Sequence, residues 1–179
     1  NILQSSKADP TSMALQFQPV NLEVFLAEVI KGYKRQLEEK KCLVDLKQEN
    51  SPTLNVDPKA LRMVFNNLIS NAIQYSPVGS TLTIHLHKTK KYWEVDFEDQ
   101  GFGFEKKEMK KIFRKFYRVQ NTDTQNIEGA GLGLFISSEI VKNHKGRLKV
   151  FSLGRGQGSL FSVLLPVSRE VAAVRQLDE

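Results

Sequence analysis

Three short segments carry residue types able to do chemistry together. Asp99-Gln100-Gly101-Phe102-Gly103 sets a carboxylate beside two glycines. Gly129-Ala130-Gly131-Leu132-Gly133-Leu134 alternates three glycines and opens onto an apolar helical pattern. Asn67-Leu68-Ile69-Ser70-Asn71-Ala72 places two amides four residues apart, and so on one face of a helix. Glycine lets backbone approach a ligand closely, and a helix start offers unpaired N–H groups to an anion. Taken together the segments read as a base-binding carboxylate, a phosphate cradle and a metal-facing amide. They lead us to expect a bound nucleotide.

Such residues need elements to position them. Met13 to Val20 alternates apolar and polar residues, a strand pattern ended by Pro19. Asn21 is placed to cap one helix bearing Leu22, Phe25, Leu26, Val29, Ile30, Tyr33 and Leu37 on a single stripe. Cys42 to Leu46 and Thr53 to Val56 read as short strands. Asp57-Pro58 then starts a second helix with a capping carboxylate and a first-turn proline, and Pro77 and Gly79 end it. That helix buries Leu61, Val64, Phe65, Leu68, Ile69, Ala72 and Ile73. Thr81–His87 and Tyr92–Phe97 alternate cleanly around Lys88-Thr89-Lys90-Lys91, as an antiparallel pair does. Gly103 to Glu128 is a long basic stretch expected to act as a lid or binding loop, with an amphipathic helix at Lys106–Lys111. Gly131 to His144 forms a third helix, and Arg147–Ser152 pairs with Ser159–Val167 in a final hairpin.

The fold class expected is α+β: a two-layer α/β sandwich in which a mixed, mostly antiparallel sheet packs on about three helices. Strands and helices do not alternate regularly, which disfavours a doubly wound parallel sheet. Residues 1–12 read as the tail of an upstream helical segment and a linker, 13–167 as the main domain, and 168–179 as a short helix or tail.

At 179 residues there is room for one substantial core. The net charge of +6 comes from scattered Lys and Arg residues, which reads as a solvated surface that also meets phosphates, with no nucleic-acid platform. The lone Cys42 excludes an intramolecular disulfide. No apolar run reaches the ~18 residues of a membrane span. The chain starts without Met, so an excised piece of a longer protein is expected.

In order and spacing, from about Met13 to Pro166, these motifs resemble the ATP-binding catalytic domain of sensor histidine kinases. That domain belongs to the ATPase superfamily that includes gyrase, MutL and a heat-shock chaperone, and its fold is the Bergerat type. The resemblance implies ATP and Mg²⁺ as cofactors. It puts Asn71 on the metal and Asp99 on adenine's exocyclic amine, with Gly101 and Gly103 turning the chain against the base. Asn67 stands where hydrolysing relatives carry a water-activating Glu, so transfer to a supplied acceptor is implied over hydrolysis. Ile112-Phe113-Arg114-Lys115-Phe116-Tyr117-Arg118-Val119 is similar to the family's phenylalanine box. There Phe113 and Phe116 would anchor the lid, and Arg118 would stabilise transferring charge. Gly129, Ala130, Gly131, Leu132, Gly133 and Leu134 would cradle the triphosphate, while Gln74, Tyr75, Phe104, Tyr117 and Ser159 would complete the pocket. Gln74 replaces a common Lys, a loss of order 1–2 kcal/mol in phosphate binding. Phe102 and Phe135 are further departures.

The acceptor histidine of such a kinase sits on a separate dimerisation domain, and none of His85, His87 and His144 fits that role. His85 and His87 share the polar side of a strand without an evident third metal ligand, and His144 suits a helix dipole. The implied partners are that dimerisation domain and a response-regulator receiver domain. The implied setting is a homodimeric parent, a monomeric isolated domain and a cytoplasmic location, with an upstream membrane anchor allowed. The competing readings are a related ATPase, a serine-directed anti-sigma kinase, or a degenerate docking domain.

Overall fold

The computed structural model describes residues 14–119 and 129–171. Five strands form the main sheet in the order β2 (Leu43–Gln48), β4 (Thr81–Lys88), β5 (Tyr92–Asp99), β7 (Ser159–Pro166), β6 (Arg147–Phe151). Only β2 and β4 run parallel; the other pairs are antiparallel. β1 (Gln18–Asn21) and β3 (Thr53–Val56) form a separate antiparallel ribbon. The mixed, mostly antiparallel sheet is as expected, and helices pack on one of its faces.

Alternation, interrupted on β7 where Leu164 is buried too, makes the sheet two-faced. Leu82, Ile84 and Leu86 on β4, Trp93, Val95 and Phe97 on β5, and Phe161, Val163 and Leu165 on β7 are all buried. α3 (Pro58–Tyr75) lies on that face, with the Phe65 and Phe97 rings 5.4 Å apart. Its start is the expected one: Asp57 Oδ1 accepts from the Ala60 N–H at 3.0 Å, and Pro58 occupies the first turn. Its buried residues, among them Leu61, Val64, Phe65, Leu68, Ile69 and Ala72, recur at the three- and four-residue spacing of one helix face.

Four expectations need correcting. The first strand starts at Gln18, after irregular residues 14–17, and holds Pro19 inside it opposite Asn55; a two-stranded ribbon has free edges where a missing N–H costs little. Met13 lies outside the described residues. The single helix after Asn21 is two, α1 (Leu22–Gly32) and α2 (Lys34–Glu39), broken at Tyr33. Gly32 weakens the helix there, and the Tyr33 hydroxyl donates to the Asn66 carbonyl on α3 at 3.0 Å. The stretch 106–113 winds through successive turns with no regular helix. Finally, the dipole account of His144 fails. Its ring, at the end of α4 (Gly133–Asn143), is fully buried, Nε2 accepts from the Asp57 N–H, and burial pushes its pKa down. A neutral ring joins the end of α4 to the cap of α3, with Nδ1 donating to the Ile140 carbonyl at 2.8 Å.

Candidate functional site

A cavity of about 360 Å³ opens between α3, the start of α4 and the sheet's Asp99 end. α3 supplies Asn67, Ser70, Asn71 and Gln74, which follow the helical spacing i, i+3, i+4, i+7 and form its polar stripe. Phe104, Ile112 and Phe161 give the cavity apolar walls, and Arg118 and Val119 border it. Every residue expected at the site lines this cavity except Gly101. Ser70, Phe102, Ile112, Val119 and Phe161 also line it and were not among the expected site residues. The stripe spacing on α3 would have yielded Ser70, and the inward parity of β7 would have yielded Phe161.

Asp99 ends β5 on its buried face and is 8% exposed. Its Oδ1 accepts from the Gly101 N–H at 2.8 Å and the Ser159 N–H at 3.2 Å, and its Oδ2 accepts from the Ser159 hydroxyl at 2.5 Å. Burial pushes its pKa up, more strongly than those bonds pull it down. The group is a fixed acceptor at the bottom of an apolar-walled pocket, the setting in which one polar group sets ligand orientation.

The glycines after Asp99 are also packed tightly against the surrounding chain. Gly101 packs behind the carboxylate, where a Cβ would lie 2.6 Å from the Tyr75 carbonyl oxygen. Gly103 has φ +56°, and a Cβ there would come within 2.2 Å of the Gly154 carbonyl oxygen. This loop is locked onto the β6–β7 connection, with the Gly158 N–H donating to the Gly101 carbonyl at 3.0 Å. This close packing of the glycine loop holds Asp99 in place, while Gly103 also borders the cavity.

At the other end, α4 starts at Gly133 with no side-chain cap on Leu132, so its first-turn N–H groups remain available to an anion. A Cβ on Gly133 would sit 2.2 Å from Asn67 Oδ1, so a larger residue there would force that amide to turn away. Asn67 in turn donates from Nδ2 to the buried Ser137 hydroxyl on α4 at 3.0 Å. Ser137 is a supporting residue that no motif suggested. The Arg118 guanidinium donates to the Gly129 carbonyl at 3.1 Å, while Gly129 and Ala130 are exposed.

The phenylalanine-box expectation holds by half. Phe113 packs against the core, but Phe116 is 72% exposed with φ +63°, and it holds the glycine loop through its backbone N–H to the Gly131 carbonyl at 2.9 Å. Lys115 Nζ lies 4.8 Å from the centre of the Phe135 ring, which ties this loop to α4 and gives Phe135 a contact of its own. The Tyr117 hydroxyl donates to Glu108, which pushes the phenol up to about 12. Residues 120–128, where the polar end of the lid was expected, lie outside the described residues.

A buried acceptor at one end, an uncapped helix start at the other and apolar walls between suit a nucleoside triphosphate. The sequence profile of the histidine kinase-, DNA gyrase B- and HSP90-like ATPases matches residues 56–169. The chain belongs to that ATPase family. It is 34% identical over 170 residues to the adaptive-response sensory kinase SasA of Synechococcus elongatus, covering 94% of this chain and 43% of that protein. It is 28% identical over 172 residues to the sensor histidine kinase WalK of Bacillus subtilis, covering 95% of this chain and 28% of WalK. The chain thus spans less than half the length of these relatives.

Among solved structures, the catalytic domain of histidine kinase ThkA superposes with a TM-score of 0.75 at 21% identity, covering 85% of this chain and 98% of that one. The mycobacterial sensor histidine kinase MprB gives 0.74 at 22%, covering 84% and 97%. At such identities these likenesses establish the fold. The chain is thus a domain of this ATPase family whose curated relatives named here are sensor kinases. The relatives do not favour the free-standing ATPase and anti-sigma readings. Among the described residues, no helix is long and apolar enough to cross a membrane.

Proposed function

We propose that this pocket binds Mg-ATP and that the chain directs the γ-phosphoryl group to a histidine on a separate dimerisation domain of its parent protein, for relay to a response-regulator receiver domain. One observation carries the reading: the buried Asp99 carboxylate, the Asn71 stripe of α3 and the uncapped start of α4 all border a single cavity. Among the relatives, ThkA has been solved in complex with the response regulator protein TrrA.

Asp99 accepts from the exocyclic amine of adenine, with Ser159 and Gly101 holding both carboxylate oxygens in place. Phe104, Ile112 and Phe161 cover the purine. The Asn71 amide oxygen is a hard ligand of the kind Mg²⁺ accepts. The first N–H groups of α4 face the phosphates, and Arg118 adds positive charge at that end. Bound ATP supplies the transferable phosphoryl group, and Mg²⁺ neutralises part of its charge. Asn67 has no basicity with which to activate water, and its amide is committed to Ser137. Transfer to an imidazole brought from outside is favoured over hydrolysis for that reason. The ATP-binding unit spans 13–167, with 1–12 the tail of the dimerisation domain and 168–179 a C-terminal tail; it sits in the cytoplasm of a homodimeric parent.

Supplying the parent's dimerisation domain in trans with radiolabelled ATP tests this directly. Acid-labile, base-stable label on that domain is expected, and it should vanish with Asn71→Ala. ATP consumption that yields only free phosphate would overturn the kinase reading in favour of an ATPase.

A further inference from the structure

Away from the nucleotide pocket, the outer face of the sheet carries a second cluster. His85 and His87 share the outward face of β4, and Asp96 on β5 stands directly opposite His85 in register. One donor atom from each of the three lies within 4.8 Å of the others. The two imidazole rings stack with centroids 4.5 Å apart, and His87 Nδ1 is 3.8 Å from Asp96 Oδ2, too long for a hydrogen bond.

A second observation sets this cluster apart from an ordinary polar surface. Among the described residues, two buried side-chain polar atoms have no hydrogen-bond partner, and they are His87 Nδ1 and Asp96 Oδ1. Buried polar atoms are normally satisfied, and each orphan asks for an explanation. A cation coordinated by the trio would satisfy both at once.

We propose that His85, His87 and Asp96 form a binding site for a divalent transition-metal cation, Zn²⁺ best fitting the donors. Two imidazole nitrogens and one carboxylate oxygen make a set that Zn²⁺ takes readily and Mg²⁺ does not seek. Ligands about 2.0–2.1 Å from a tetrahedral ion lie roughly 3.4 Å from each other, so the trio closes by side-chain rotation around the ion. Water fills the fourth position, or a neighbouring carboxylate does. Glu49 Oε1 is 3.7 Å from the His85 ring, and Glu94 stands opposite His87 in register. Lys47, the β2 neighbour of His85, is already engaged by Asp45 at 3.4 Å.

Bound there, the cation clamps β4 to β5, the strand whose end presents Asp99. Asp96 and Asp99 have opposite parity, so the metal sits across the sheet from the pocket and touches no nucleotide. Metal binding and ATP binding are therefore separable, and the failure of one reading leaves the other standing.

The test uses the chain without an affinity tag, stripped of metal and free of nucleotide, titrated with zinc chloride by calorimetry. One equivalent should bind with an affinity of micromolar order or tighter, and the thermal midpoint should rise by several degrees at saturating zinc. Magnesium should not compete. The double variant His85→Ala, His87→Ala should bind at least ~30-fold more weakly, judged from the loss of two of three ligands. Asp96→Asn should weaken binding by less, and Cys42→Ser should leave it unchanged. Cobalt in place of zinc should give visible absorption bands that the double variant lacks. Metal-free thermal midpoints and ATP binding close to wild type establish that the variants fold. No saturable zinc binding by the wild-type chain, or zinc binding as tight as wild type in both the double variant and Asp96→Asn, would overturn the site.

Discussion

At the Asp99 end of the pocket, three hydrogen bonds hold the carboxylate, and the loop behind it interlocks with the β6–β7 connection. At the Gly129 end the chain is exposed, and its described ties are an Arg118–Gly129 bond and a backbone bond from Phe116 to Gly131. The contrast is between a pre-ordered base end and an open phosphate end. A base is recognised by fixed groups whose geometry must exist before binding, because ordering them afterwards would consume binding energy. Phosphates are reached by N–H groups and a guanidinium that tolerate adjustment, and the site must also admit an acceptor and release product.

The same substitution at the two ends probes this contrast most strongly. Gly103→Ala puts a Cβ 2.2 Å from a backbone carbonyl at positive φ, so it should destabilise by about 2–3 kcal/mol in chemical denaturation. Gly129→Ala meets nothing within 4 Å and should change stability by less than ~0.5 kcal/mol. Comparable losses at both positions would erase the distinction.

Between the ends, Gly133→Ala drives a methyl into Asn67 Oδ1 and should pull that amide off Ser137. A loss of about 1–2 kcal/mol is expected, with nucleotide affinity down roughly tenfold. Ser137→Ala should reproduce part of the stability loss while leaving the α4 N–H groups in place.

Stability should also fall in acid through His144. Its pKa is lowered in the folded state by burial, so below its ordinary value of 6.5 the unfolded chain binds a proton that the folded chain refuses. Stability is therefore full above that value and is lost as pH falls below it, by at most ~1.4 kcal/mol per pH unit. Asp99 works the opposite way. Its folded pKa is raised, so its contribution favours the folded state at low pH and weakens as pH climbs above its ordinary 3.8. Between these two values the two contributions oppose each other, so the urea midpoint of the wild type relative to that of His144→Gln should fall as the pH is lowered, the Asp99 contribution being common to both.

The smallest effect belongs to Gln74→Lys. Gln74 borders the cavity but is exposed, so a charge there is screened and should tighten nucleotide binding only about two- to fivefold. That is less than the 1–2 kcal/mol suggested by residue type alone, and calorimetry on the single variant measures it.

Much of this is legible in the sequence. The cap at Asp57-Pro58, the two-residue alternation of β4 and β5 and the three- and four-residue spacing of α3 are local signals that packing then obeyed. What escaped was decided by partners distant in sequence. Gly103 answers to Gly154, His144 to Asp57 and Asn67 to Ser137, and no local pattern announces such pairs. The break at Tyr33 is of the same kind, since its hydroxyl reaches α3. Phe116 misled for another reason: its spacing from Phe113 suits a helix, whereas the chain there turns with a positive φ that swings the ring outward. The His85–His87 pair shows alternation plainly, yet its third donor came into view only with the β4–β5 register.

The account stands most directly on Asp99 reading an amine, and a calorimetric comparison of Mg-ATP with Mg-ITP examines it, because inosine replaces that amine with a carbonyl. The wild-type chain should bind ATP at least ~30-fold more tightly than ITP, the scale of a charge-assisted hydrogen bond exchanged for a repulsive contact. In Asp99→Asn, whose amide is nearly isosteric, that gap should collapse while stability stays within ~1 kcal/mol of wild type. Equal binding of the two nucleotides by the wild type, or an undiminished gap in Asp99→Asn, would contradict it.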